Sequence, residues 1–216
     1  MAGLGELYVI PGLTTGPCDI LLVEGVPGGE FDCFAGLRSG NEVLRRILEL
    51  RDKYSPRNSE RIHDVQLTDW GGYLIGRYTP VVRHPVGRLP GGGTVLGMAD
   101  VVVANDPITG QGSNNAARCA AVYQQAILDH GGKPFDEEFM QQTFDTYWDY
   151  AQYVTMFTNA MLQPPPPHVM ELLVAGKEHK AIRDRFTEGF ADPKDLFDWF
   201  MDPGKARAYL AEITGA

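Results

Sequence analysis

Closely spaced turn signals break the start of this 216-residue chain into short pieces, which limits what it can fold into. Within residues 6–34, the apolar runs ELYVI, DILLVEGV and EFDCF alternate with PGL, TTGP and PGG. Apolar pieces this short, bounded by Gly and Pro, are typical of antiparallel strands joined by tight turns. We therefore predict a meander of short antiparallel strands over residues 6–34.

The next segment changes to a helical pattern. In NEVLRRILELRDKY, residues 41–54, apolar side chains recur at spacings of three and four, as on one face of a helix. Ser39 or Asn41 is available as the N-cap, and Ser55-Pro56 follows the last helical position. Beyond it, residues 73–86 return to β character, although two prolines restrict them to an edge strand or an extended loop.

The second half of the chain is dominated by helical patterns. After the turn at 90–93, TVLGMADVVV predicts a buried strand, which runs through the loop NDPITGQG into the helical segment SNNAARCAAVYQQAILDH. Further helices are predicted at 136–159, 168–176, 178–188 and 193–213, separated by proline-containing breaks. We expect an α+β fold, in which a mostly antiparallel sheet precedes a helical region.

Composition excludes several classes of function. A net charge of −9 opposes nucleic-acid binding, and no run of about 20 apolar residues could span a membrane. The histidines have no metal-ligand spacing, and the three cysteines form no CxxC pair, so neither a metal site nor a disulfide framework is expected. We expect a cytoplasmic protein without nucleic-acid or membrane partners.

The segment GMADVVVANDPITGQGSNNAA, residues 97–117, carries the chemistry. A helix that begins after GQG presents unpaired backbone N–H groups and a partial positive charge. Gly110, Gln111, Gly112 and Ser113 would therefore favour an anion or an electron-rich ring edge. The alternative is an ordinary strand-to-helix connection that uses glycine for its turn geometry.

Two further residues of this segment fit a ligand site. Asp100, which we predict at the end of the strand just before the loop, could accept hydrogen bonds from ligand hydroxyls. Pro107 would stiffen the loop between Asp100 and the glycines. No arrangement of Ser, Cys, His or Asp suggests a nucleophile or a proton-transfer residue, so we predict no catalytic side chain.

The order of these residues resembles a known flavoprotein pattern. Asp100, with Pro107 seven positions later and then two residues and GQG before an Ala-rich helix, resembles the second FAD fingerprint of the aromatic hydroxylases. The string DPITGQGSNNAA, the GELYVIPGLT start, the helix at 41–54, the PPPPH segment and an FxxxFxDPxxxFxWF tail resemble the styrene and indole monooxygenase family over nearly the whole chain. The fold implied is the C-terminal half of an aromatic-hydroxylase-type FAD monooxygenase.

This resemblance implies a two-component, FAD-dependent oxygenase. A separate flavin reductase would supply reduced FAD, and the oxygenase would stabilise the flavin C4a-peroxide that epoxidises styrene- or indole-like aromatic alkenes. An apolar pocket between the loop and the β segments would keep water away from the flavin. We also expect a homo-oligomer.

The resemblance also assigns roles to individual residues. Asp100 would contact the ribityl or ribose region, and the loop would face the isoalloxazine ring. Asn114 and Asn115 would support the helix start. Expected FAD contacts are Asp100, Pro107, Thr109, Gly110, Gln111, Gly112, Ser113 and Asn114. Expected substrate contacts are Pro107, Ile108 and Thr109.

The expected domains are a substrate-binding β-sheet domain with one inserted helix at 1–90, a flavin-contacting strand-loop-helix at 91–132 and a C-terminal helical region at 133–216. Members of the family open with a strand, a G-x-G-x-x-G turn and a helix for the ADP part of FAD, and the 216 residues contain no such Rossmann unit. We expect a fragment, a truncated product, or one half of a split enzyme whose N-terminal FAD-binding polypeptide is separate. The alternatives are a non-catalytic binding or scaffold domain, and part of a hydroxylase reduced directly by NAD(P)H.

Overall fold

The computed structural model describes residues 5–56 and 62–215 and divides the chain into two compact units, Met1–Arg77 and Tyr78–Ala216. The parts of the predicted β-sheet domain that fall on residues 1–4 and 57–61 lie outside the described residues. Over the described residues the chain is α+β, with seven α-helices and three separate two-stranded antiparallel sheets.

The first unit begins with a β-hairpin. Strands β1 (Gly5–Leu13) and β2 (Pro17–Gly25) pair antiparallel, with Val9 opposite Leu21. The prediction of a third strand in the meander is wrong, because EFDCF forms a turn followed by irregular chain. Its Asp32 carboxylate accepts from the Gly28 N–H at 2.9 Å, which closes the turn.

Helix α1 (Gly40–Tyr54) confirms the predicted amphipathic helix almost to the residue. Ser39 is the N-cap, and its hydroxyl and the Glu42 carboxylate form a reciprocal capping box. The face buried in the first unit carries Val43, Ile47 and Leu50, at the three- and four-residue spacings that the sequence shows.

The second unit starts with two small sheets. Strand β3 (Val81–Val82) pairs with β6 (Val103–Ala104), and β4 (Val86–Arg88) pairs with β5 (Thr94–Leu96). The single strand predicted for TVLGMADVVV is therefore wrong, since a 3₁₀ turn at Ala99–Val101 separates β5 from β6. Between β5 and this turn, the Gly97 N–H donates to the Pro85 carbonyl at 2.7 Å, next to the Val86–Leu96 pair of β4 and β5.

Six helices complete the second unit, and among the described residues none is long and apolar enough to cross a membrane. They are α2 (Gly112–His130), α3 (Glu137–Met161), α4 (Pro167–Ala175), α5 (Lys180–Glu188), α6 (Pro193–Met201) and α7 (Pro203–Thr214). The helix predicted at 193–213 is two helices, because Asp202 caps α7 and Pro203 cannot continue α6.

Helix α3 belongs to both hydrophobic clusters of the second unit. Its first half packs Phe144, Tyr147 and Ala151 beside α2 and β6. Its second half contributes Phe157 to an aromatic cluster formed with α4 to α7. The position of α3 is therefore fixed by packing along both halves of the helix.

Candidate functional site

The connection between β6 and α2, which we call the GQG loop (residues 105–112), is tightly folded. The Asp106 carboxylate accepts from the Ile108 N–H at 3.0 Å, and Pro107–Thr109 forms a 3₁₀ turn. Gly110 ends that turn with φ of 65°, and its N–H donates to the Pro107 carbonyl at 2.8 Å. Residues with a Cβ adopt this left-handed conformation at a cost, so the position requires glycine.

Helix α2 begins directly at the end of the loop, at Gly112, one residue before the predicted start at Ser113. Its N-cap, Gln111, makes no side-chain capping bond, and the first turn contains no acidic residue. Apart from the adjacent chain and helix backbone, a Cβ added at Gly110 or at Gly112 would meet no atom of the described residues within 4 Å. The helix start therefore combines an uncapped, electropositive backbone with open space beside its glycines.

Two carboxamide side chains at this helix start are buried without full hydrogen bonding. Gln111 and Asn115 are each 2% exposed. Within the described residues, neither polar atom of the Gln111 amide has a hydrogen-bond partner, and the same holds for Oδ1 of Asn115. Burial of an unpaired amide is unfavourable, so the chain keeps polar groups here at a cost in stability.

This cost can be measured with Gln111→Met, which has a similar length and no amide. We expect the variant to be more stable by about 1 kcal/mol, because it removes two buried atoms without partners. Urea denaturation followed by circular dichroism measures the change, and Gln125→Met on the exposed side of α2 serves as the control. A loss of stability in Gln111→Met would show that the amide is hydrogen-bonded in solution.

The GQG loop is attached to helix α3 by two side-chain hydrogen bonds. The Thr155 hydroxyl donates to Oδ1 of Asn105 at 2.8 Å, and the hydroxyls of Thr109 and Thr158 are 2.8 Å apart. Sequence reasoning missed both α3 residues, since a threonine in a helix gives no signal of a partner about 50 positions away. Their spacing of three is the one available hint, because it places them on the same helix face.

The groups packed behind the helix start are unsuited to nucleophilic chemistry. Cys119 is fully buried, and its sulfur accepts from the Ala99 N–H at 3.4 Å. Burial raises the pKa of the Cys119 thiol and, more strongly, that of the Tyr147 hydroxyl. Both groups therefore stay protonated at neutral pH and serve as packing groups, and the Cys119 sulfur also accepts a hydrogen bond.

Asp100 lies elsewhere than predicted. It is in the 3₁₀ turn before β6, on an exposed position, and not at the end of the strand that enters the loop. The pKa of Tyr78 is raised first by burial and then by the negative charges of Asp100 and Asp106, with Arg83 opposing them. Asp100 and Asp106 thus both raise the pKa of the Tyr78 hydroxyl. Tyr78 is not among the site residues predicted from the sequence.

The structure brings most of the predicted site residues together in one segment. Those in the GQG loop and the first turn of α2 are Pro107, Ile108, Thr109, Gly110, Gln111, Gly112, Ser113 and Asn114. Asp100 is separated from them along the chain by β6. The segment offers backbone donors, buried amides and an apolar turn, which suits an anionic or electron-rich planar ligand.

Comparison with known proteins finds similarity to one family of oxygenases. Residues 1–61 match the family described as styrene monooxygenase A putative substrate binding domain. Over 211 residues, the styrene monooxygenase StyA of Pseudomonas fluorescens is 28% identical, covering 93% of this chain and 50% of that protein. StyA of Pseudomonas sp is 28% identical over 222 residues, covering 98% of this chain and 53% of that protein.

These matches confirm the resemblance to the styrene monooxygenase family that the sequence motifs indicate. The chain spans about half the length of the curated relatives that it matches.

Proposed function

We propose that this chain is the C-terminal, substrate-covering part of an FAD-dependent styrene-monooxygenase-type oxygenase, and that its GQG loop contacts the isoalloxazine ring. The relatives that support the proposal are named styrene monooxygenases. The observation that carries it is the open backbone at Gly110 and Gly112 next to an uncapped helix start. A planar ring could approach this backbone closely because no Cβ stands in the way.

The residues present fit a flavin ring. The backbone N–H groups after Gly110 would hold the negative charge of the reduced ring, as helix N-termini hold anions. The buried Gln111 amide, unpaired within the described residues, adds a donor and an acceptor at the same place. Reduced FAD, when bound, supplies the oxygen-activating chemistry, and the protein supplies position and exclusion of water.

Other residues would bind the rest of the cofactor and the substrate. Asp100 would accept hydrogen bonds from hydroxyls of the ribityl or ribose region, and Ser113 and Asn114 would support binding at the helix start. The apolar turn Pro107–Thr109 would contact a small aromatic substrate such as a styrene- or indole-like alkene. Exclusion of water by such contacts protects reactive flavin from wasteful side reactions.

The proposal includes partners. A separate flavin reductase would supply the reduced FAD, and a polypeptide or segment carrying the nucleotide-binding unit would complete the cofactor site. Residues 1–90 would form the substrate-binding part, residues 91–132 the flavin-contacting part and residues 133–216 the helical part. Within the second unit, α3 and the C-terminal helices would then support the GQG loop.

Gly112→Ala tests the proposal without disturbing the fold. Apart from the adjacent chain and helix backbone, the added methyl group would meet no atom of the described part of the chain within 4 Å, and alanine favours a helix over glycine by about 0.5–1 kcal/mol. We therefore expect unchanged or higher stability together with about tenfold weaker flavin binding, which corresponds to about 1.4 kcal/mol. Titration of the 15N-labelled protein with FAD, followed by backbone amide shifts, measures the affinity.

The matched control is Gly91→Ala, because Gly91 is another open glycine of the second unit, in the turn between β4 and β5. It should leave both stability and flavin binding unchanged. Equal affinity of Gly112→Ala and wild type for FAD would contradict contact between the ring and the helix start. So would shifts that avoid residues 110–114 altogether.

A further inference from the structure

We propose that Thr155 and Thr158 of helix α3 are positioning residues for the GQG loop, and that they set where its backbone meets the flavin. This inference rests on the proposed function and adds to it two residues about 50 positions away from the loop along the chain. Neither threonine would touch the flavin. Each would act through a loop residue that it hydrogen-bonds.

The two threonines hold both ends of the 3₁₀ turn in the loop. Asn105, two residues before Pro107, accepts from the Thr155 hydroxyl at 2.8 Å. Thr109, the last residue of the turn, shares a 2.8 Å hydrogen bond with Thr158. Because Thr155 and Thr158 are three residues apart, one face of α3 carries both anchors.

The second anchor is directly coupled to the glycine backbone. Thr109 precedes Gly110, so a displacement of Thr109 moves the left-handed residue and the N–H groups that follow it. Thr158 is 1% exposed and Thr109 is half-buried, so competition with bulk water is reduced at this hydrogen bond. Loss of such an anchor can displace the loop enough to weaken a geometry-dependent site.

Helix α3 is a rigid base for these anchors. Ala151, Val154 and Phe157, which flank the two threonines, are all almost completely buried. Asn105 also has a buried Nδ2 without a hydrogen-bond partner in the described part of the chain, so its bond to Thr155 is an important constraint on its amide. The loop is thus aligned by a packed helix and not only by its own turn.

The test uses Thr158→Val and Thr155→Val in the 216-residue chain, since valine has the shape of threonine without its hydroxyl. The Gly110 N–H is bonded to the Pro107 carbonyl, so its hydrogen exchange reports opening of the turn. We expect exchange at Gly110 to become about three- to tenfold faster in either variant, the effect of losing one net hydrogen bond. FAD titration by amide shifts should show a similar rise in Kd.

Two controls separate positioning from general destabilisation. Thr158→Ser keeps a hydroxyl and should restore slow exchange and wild-type flavin affinity. Thr143→Val removes a hydroxyl from a residue of α3 that is 3% exposed, and it should leave both readouts unchanged. Amides of α2 beyond Cys119 provide an internal reference for any variant whose global stability falls.

The outcomes are distinguishable. Unchanged exchange at Gly110 in both valine variants would overturn the positioning role. Faster exchange with unchanged Kd for FAD would also overturn it, because the bonds would then serve structure alone. Failure of the wild-type chain to bind FAD, together with faster exchange in the variants, would instead overturn the proposed function and leave the α3 anchors as a loop-ordering device.

Discussion

The affinity of the 216-residue chain alone for FAD is expected to be roughly a hundredfold to ten-thousandfold lower than that of an oxygenase that also binds the adenosine and pyrophosphate. The residues proposed to bind FAD would reach the ring end and the ribityl region. The sequence contains no G-x-G-x-x-G turn for the pyrophosphate. Loss of two charge-assisted hydrogen bonds, each worth about 1.5–3 kcal/mol, gives this range.

Asp100 would weaken the binding of FAD further. It is an exposed carboxylate, and at the proposed site it would repel the pyrophosphate unless the intervening hydroxyls were held in place. FMN, which lacks the adenylate, should therefore bind this chain about as well as FAD. Isothermal titration calorimetry with oxidised and reduced forms of both flavins measures these affinities.

Two results would contradict this expectation. Submicromolar binding of FAD by the chain alone would reveal an anchor within these residues that the sequence does not indicate. A strong preference for FAD over FMN would point to such an anchor for the adenylate. Restoration of tight binding by a co-expressed N-terminal FAD-binding polypeptide would support a split or truncated oxygenase.

Local signals predicted the helices well because capping and periodicity act over a few residues. The capping pair Ser39 and Glu42 fixes the start of α1, and Asp136, the predicted start of α3, is its N-cap, so that α3 begins one residue later. The GQG segment was predicted as a loop that opens a helix, and it is one. Glycine and proline dictate the backbone there whatever the rest of the chain does.

The β elements were predicted less well because strand formation depends on partners that local sequence does not specify. Phe31 in EFDCF lies in a turn and is buried, and the centroids of its ring and the Tyr54 ring are 5.2 Å apart. Its burial therefore needs no strand. In TVLGMADVVV, Ala99 has φ of 50°, and the Val102 N–H donates to its carbonyl. A valine-rich run has β propensity, but tertiary contacts decide where the strand breaks.

In the candidate site, too, local features could be predicted from the sequence and long-range contacts could not. The backbone features at Gly110 and Gly112 follow from the sequence, whereas the anchors on α3 depend on how two helices and a loop meet. The misplacement of Asp100 follows from the unpredicted 3₁₀ turn before β6. Side chains that meet across about 50 residues can be found only once the packing is known.

Phe157→Ala is expected to lower the free energy of unfolding of the second unit by about 3–5 kcal/mol, the usual cost of truncating a buried aromatic residue to alanine. Phe157 is 1% exposed, and its ring lies 6.1 Å from both Phe190 and Phe200 and 6.5 Å from Phe186. These neighbours come from α5, α6 and the segment between them, so they are held by separate elements. The cavity left by the ring therefore cannot collapse without moving several helices.

Urea denaturation followed by tryptophan fluorescence and circular dichroism measures this loss. Phe135→Ala is the matched control, because Phe135 is 51% exposed and should cost about 1 kcal/mol or less through its contacts with His130 and Phe139. Phe157→Leu, which keeps most of the volume, should fall between the two. A loss below about 1 kcal/mol in Phe157→Ala, with an unchanged dependence on urea, would mean that the helices close around the missing ring. In that case α3 would be less rigid than its burial indicates, and Thr158, the next residue, could not hold the GQG loop in one position.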